Sequence, residues 1–101
     1  MTESFATTKE VVAVIIPLFR VKAQVLGVLA RIGPEVTRIY VVDDACPENS
    51  GKYVQTESQD PRIRVIFHAA NKGVGGALLT GYQTAFTEGA TIAVKLDGDG
   101  Q

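Results

Sequence analysis

One cysteine, Cys46, stands alone in 101 residues, so no internal disulfide can staple the chain and a disulfide-built secreted domain is excluded. Neither charge dominates: ten Lys and Arg face eleven Asp and Glu, for a formal net charge of −1. Without a broad basic face, nonspecific nucleic-acid binding is not expected. No apolar run is long enough to span a bilayer. The longest, over residues 11–19, is interrupted by Pro17, whereas a membrane helix needs roughly 18 or more apolar residues. Residues Met1, Thr2, Glu3 and Ser4 lack the basic-then-apolar order of a secretory signal. Repeats and low-complexity tracts are missing as well. The expectation is a soluble, cytoplasmic domain in a reducing compartment.

What is there alternates. Residues 1–10 are polar and are expected to be a flexible segment. Residues 11–16 form an unbroken apolar, β-branched run, as in a strand buried on both faces of a parallel sheet. Val21, Val25, Val28, Leu29 and Ile32 then fall on one helical face, and Gly33-Pro34 supplies the stop. A second apolar run, 39–42, ends in Asp43-Asp44. Beyond a loop with Pro47, Asn49, Ser50 and Gly51, a short polar helix reaches about Ser58, and Asp60-Pro61 closes the unit. Ile63, Val65 and Phe67 mark a third, less buried strand. Val74, Leu78, Tyr82, Ala85 and Phe86 predict a helical face ending at Gly89, with Tyr82 and Phe86 expected in the core. Ile92, Val94 and Leu96 form a last strand that runs into Asp97-Gly98-Asp99. The order β-α-β-α-β-α-β predicts an α/β, Rossmann-like parallel sheet with right-handed crossovers.

Ligands of such sheets bind outside the carboxyl ends of the strands. Read together, those ends carry Pro17, Phe19 and Arg20; Asp43 and Asp44; Asn71, Lys72 and Gly73; and Asp97 and Asp99. Several carboxylates on one rim repel unless a cation or a donor-rich ligand joins them, and carboxylate oxygens suit Mg²⁺ or Mn²⁺. A metal-bound nucleoside diphosphate fits this pattern. Plainer readings stand beside it. Asp43-Asp44 alone is a solvated turn or helix cap, and Asp-Gly-Asp-Gly is an ordinary loop or the start of a calcium loop. The glycine turn 73–76 places Leu78 where a dinucleotide fingerprint needs its last glycine. His68, with no second histidine, is expected to be a solvent-facing residue at a strand end, and Cys46 a small loop or core residue.

Four segments in order, 12–17, 41–44, 71–78 and 96–101, resemble the N-terminal half of a GT-A fold glycosyltransferase of family 2. The flavour is that of the dolichyl-phosphate mannosyltransferase and polyprenyl-phosphate glycosyltransferase branch. The resemblance covers residues 11–101 and makes them the nucleotide-sugar-binding part of the domain, with the acceptor half absent. It implies that Pro17 and Phe19 lie beside the nucleotide base, and that Asp43-Asp44 supplies the carboxylate that reads base or ribose. Asn71, Lys72 and Gly73 would form the turn near the nucleotide. Asp97 and Asp99 match a D-x-D motif, with Asp99 the metal ligand and Asp97 facing sugar or ribose. The implied reaction is inverting transfer from a UDP- or GDP-linked sugar to a polyprenyl or dolichyl phosphate, or to a saccharide, assisted by Mg²⁺ or Mn²⁺. A lipid-phosphate acceptor would place the full-length protein at the cytoplasmic face of a membrane.

Two departures stand out. Arg20, Val21 and Lys22 occupy positions where the family usually has Asn followed by acidic residues. The sequence also ends at the D-x-D motif, so no residue here is expected to be the catalytic base, and the fragment is expected to be inactive alone with an exposed, self-associating strand edge at 91–97. The competing classes are a dinucleotide-binding oxidoreductase that uses the turn at 73–76, and a noncatalytic nucleotide-binding or signalling module.

Overall fold

The computed structural model describes residues 10–100; the expected flexibility of 1–10 therefore falls, Glu10 apart, outside the described residues. Seven elements follow in order: β1 (Val12–Leu18), α1 (Lys22–Ala30), β2 (Arg38–Asp43), α2 (Ser50–Glu57), β3 (Ile63–Phe67), α3 (Gly73–Thr87) and β4 (Ile92–Lys95). All strands pair in parallel, in the order β3-β2-β1-β4. The expected α/β architecture is the observed one.

Alternation along β1 and β2 divides the core in two, because successive side chains of a strand point to opposite faces. Val14, Ile16, Leu18, Ile39 and Val41 meet Val25, Val28 and Leu29 of α1 and Val54 of α2. Ala13, Ile15, Tyr40 and Val42 meet Ala77 and Ala85 of α3. Each face is apolar, which is why the run reads as continuous rather than alternating.

Three expectations need correction. β1 runs on through Pro17 to Leu18, where the sequence suggested a stop at Ile16. In a parallel strand the N–H and C=O of one residue point to the same side, and Ile15 faces β4, where its carbonyl accepts from Leu96 N. Pro17, two residues on, therefore faces the same side, where pairing with β4 ended at Ile15 opposite Lys95. The missing N–H costs no ladder bond there. On the other flank, Pro17 and Leu18 stay in register with Val42 and Asp43.

The buried stripe of α3 is Ala77, Gly81 and Ala85, not the bulky set, and Val74 and Phe86 are more than half exposed. Small residues let the helix lie close to the sheet, and Gly81 sits directly against the Ile15 side chain. Leu78 and Tyr82 pack at its flanks while Phe86 faces out.

His68, expected in solvent, is buried, because Asp44 and Thr80 both hydrogen-bond its ring.

Candidate donor-binding site

The order of the strands decides where a crevice opens. From β1 the chain steps outward to β2 and β3, then returns to place β4 on the other flank. At such a reversal neighbouring connections leave toward opposite faces, and ligands bind beyond the carboxyl ends of the strands. Here β4 ends at Lys95 while β1 continues to Leu18, so pairing between the two strands stops before β1 does. A cavity of about 390 Å³ lies at that point. It is lined by Pro17, Phe19, Asp44, Asn71, Gly73, Asp97 and Asp99 from the sequence-derived set. Leu18, Val21, Val74, Ala77 and Gly98 complete the wall.

Asp43 and Lys72 are not in that wall. The Asp43 carboxylate accepts Cys46 N at 2.7 Å and Gly51 N at 2.8 Å. It therefore ties the 44–50 loop to the start of α2 and is only 4% exposed. Gly51 is required by this contact: a Cβ there would come within 2.8 Å of the Asp43 Cβ and of the Phe67 ring. Lys72 contributes its backbone N–H, while its side chain lies over Gly76.

Asp44 is the organiser of the cavity floor. Its Oδ1 accepts Lys72 N at 2.8 Å and pairs with His68 Nδ1 at 2.8 Å, and its Oδ2 accepts Gly73 N at 2.8 Å. Asn71 Nδ2 donates to the Asp44 carbonyl, and Asn71 Oδ1 accepts Gly73 N. Gly73 adopts φ +80°, a conformation that glycine reaches without steric cost. Burial alone would raise the Asp44 pKa, but the hydrogen bond from His68, those from Lys72 N and Gly73 N, and the imidazole charge outweigh it. The carboxyl is held below its ordinary value. An anion at the start of α3 is also favoured by the helix dipole. The N–H groups of Lys72 and Gly73, which the pyrophosphate of a dinucleotide would need at this glycine turn, already bind Asp44.

Across the cavity, Asp97 and Asp99 flank Gly98. A Cβ on Gly98 would stand 2.9 Å from Val21 Cγ2 and 3.3 Å from Leu18 Cδ2, so the turn closes tightly over α1 and β1. Gly100 N donates to the Asp97 carbonyl and fixes the turn. Asp97 meets Lys95 Nζ at 3.6 Å in an exposed pair. Among the described residues no three His, Cys, Asp or Glu side chains cluster as a ready metal site.

Phe19 of the cavity wall lies under the Arg20 guanidinium, which is 5.3 Å from the ring centroid. Arg20 N donates to Cys46 Sγ, which joins the loops after β1 and β2. Cys46 is thus a buried loop residue, as expected. His68 is the neighbour of Asp44 that sequence reading missed; a lone histidine after an edge strand has no periodic signature.

Against the family model for glycosyl transferase family 2, residues 13–101 match. The chain belongs to this family. Among relatives of this family 2 chain, an undecaprenyl-phosphate mannosyltransferase of Micrococcus luteus is 34% identical over 76 residues, 74% of this chain and 31% of that protein. A UDP-N-acetylglucosamine--dolichyl-phosphate N-acetylglucosaminyltransferase of Methanococcus voltae is 29% identical over 91% of this chain and 42% of its own length. The family 2 chain thus spans well under half of these curated relatives. The crystal structure of S. aureus TarS 1-349 shares the fold, with a TM-score of 0.61 at 18% identity, covering 88% of this chain and 27% of that one. The sheet is that of a GT-A glycosyltransferase fold. No helix among the described residues is long and apolar enough to cross a membrane.

Proposed function

We propose that the cavity between β1 and β4 holds a nucleoside-diphosphate sugar, UDP- or GDP-linked, whose sugar is passed with inversion to a polyprenyl or dolichyl phosphate. The observation that carries this reading is the convergence of Pro17, Phe19, Asp44 and Asp97 on one cavity at the reversal point of the sheet. The names of the relatives support the acceptor class, since they include transferases to undecaprenyl and dolichyl phosphate. Such an acceptor would bring the whole protein to the cytoplasmic face of a membrane.

In this reading Pro17, Phe19 and Val21 offer an apolar face to the base. Asp44, already ionised and fixed, keeps lone-pair capacity on Oδ2 for an N–H or O–H of the nucleoside. Asp97 faces the sugar or ribose. Asp99 and Asp97 present hard oxygen donors, and Mg²⁺ or Mn²⁺ needs only one or two protein carboxylates because phosphate oxygens and water complete its shell. The residues fit such a cation, with Asp99 its ligand; bound there, it would stabilise the charge of the departing diphosphate as a Lewis acid. We assign no described residue as the base that activates the acceptor, and residues 10–100 are expected to bind donor without transferring sugar.

Amide NMR titration with UDP and with GDP, each with and without Mg²⁺, tests this. Metal-dependent shifts at residues 17–20, 71–76 and 96–100 are expected. A folded sample with no shift for either nucleotide would overturn the reading.

A further inference from the structure

His68 is the chain's one histidine, and its ring joins three elements that sequence does not bring together. Its backbone N–H donates to the Asp43 carbonyl, which extends the β2–β3 ladder by one residue. Its Nδ1 lies 2.8 Å from Asp44 Oδ1, and its Nε2 lies 2.8 Å from Thr80 Oγ1 on α3. His68 and Asp44 are buried, at 9% and 3% exposure. His68 is not in the cavity wall; Asp44 is.

An ionised carboxylate only accepts, so Nδ1 carries the proton in the bond to Asp44. The ring Nε2 shares a second hydrogen bond with the Thr80 hydroxyl. Both ring nitrogens are thereby committed, and the imidazole cannot turn without breaking one of them. The Asp44 carboxylate, pinned by this ring, in turn receives Lys72 N and Gly73 N. The turn at 71–73 is therefore held closed by a chain of contacts that starts on Thr80, in the second turn of α3.

We propose that His68 is a positioning residue of the cavity, fixing the Asp44 carboxylate and through it the glycine turn that forms one wall of the ligand site. The bearing on donor binding rests on the nucleotide-sugar reading; the positioning of Asp44 does not.

Two isosteric variants separate a positioning role from mere filling. The amide nitrogen of Asn overlays imidazole Nδ1, and that of Gln overlays Nε2. His68→Asn, which keeps the bond to Asp44 and loses the one to Thr80, should shift the Lys72 and Gly73 amide resonances no more than loss of the Thr80 hydroxyl does. His68→Gln should move them, speed their hydrogen exchange about tenfold, and weaken Mg²⁺-dependent UDP or GDP binding about tenfold, as expected for losing a hydrogen bond to a charged group. Thr80→Val, which frees the ring at Nε2, should loosen the same two amides to a smaller degree and serves if His68→Gln does not fold. Unchanged Lys72 and Gly73 signals in folded His68→Gln, or in Thr80→Val where that variant stands in, would overturn the proposal. So would equal loss of affinity in the Asn and Gln variants. If the parent chain binds neither nucleotide while the two amides respond as described, the donor-site reading fails and the positioning of Asp44 stands.

Discussion

Asp43 and Asp44 are neighbours in the chain, yet their carboxylates serve opposite sides of the sheet end. Asp43 turns toward α2 and accepts Cys46 N and Gly51 N, whereas Asp44 turns toward α3 and accepts Lys72 N and Gly73 N. Strand alternation is the cause, since consecutive side chains at a strand end point to opposite faces. Of the two, Asp44 lines the cavity and Asp43 does not.

Substitution should separate the two. Asp43→Ala leaves two buried N–H groups without their acceptor, at a cost of about 1–3 kcal/mol each. A lower urea midpoint with unchanged nucleotide affinity in the folded fraction is expected. Asp44→Ala should lower both. Urea unfolding paired with the NMR titration decides it, and equal loss of affinity in the two variants would contradict the division.

Acid should destabilise the fold through Asp44 and Asp60. Both carboxyls sit below their ordinary values. For Asp60 the hydrogen bond from the Arg62 guanidinium is the main cause; for Asp44, burial pushes upward but the bonds from His68 and the turn prevail. A depressed folded pKa means that the stabilisation is complete above the unfolded value, about 3.9 for Asp, and is lost as pH falls through the folded pKa. The urea midpoint should therefore drop below about pH 4. Asp60→Asn should flatten that drop; an unaltered acid limb would refute the assignment.

Gly81 should tolerate no side chain while Ile15 keeps its own. Gly81→Ala drives a methyl into Ile15 Cγ2. Overpacking of this kind costs about 1–3 kcal/mol. In an Ile15→Ala background the same change should cost less, because the contact couples the two sites. Additive losses in the double-mutant cycle would show that the helix moves away instead.

Among the described residues β4 pairs with β1 alone, and Ile92 and Val94 on it are 39% and 49% exposed. An apolar edge with unpaired backbone groups invites a second copy. Sedimentation should detect concentration-dependent association that Val94→Lys suppresses. A clean monomer at high concentration would count against it.

Asp99→Asn should remove most of the Mg²⁺ dependence of nucleotide binding and leave the metal-free affinity in place. Calorimetry with and without EDTA reads this directly. Retention of the full metal effect would move the ligand role to another carboxylate.

Sequence alone determined the alternation of strands and helices, the parallel sheet and the rim of carboxylates and glycines. Each rests on local information: β-branched runs such as 11–16, helical spacing such as Val25, Val28 and Leu29, and punctuation by Gly33-Pro34 and Asp60-Pro61. Tertiary structure decided the rest. Which face of α3 packs depended on how near Gly81 lets it come to Ile15, and the apolar pattern of that helix was too diffuse to say. Which of two adjacent aspartates enters the cavity depended on where β2 ends. The placement of His68 depended on Asp44 and Thr80 reaching it from 24 and 12 residues away. Contacts of that range leave no period in the sequence, because each involves one residue per element and the distance between them is set by the packing of the sheet.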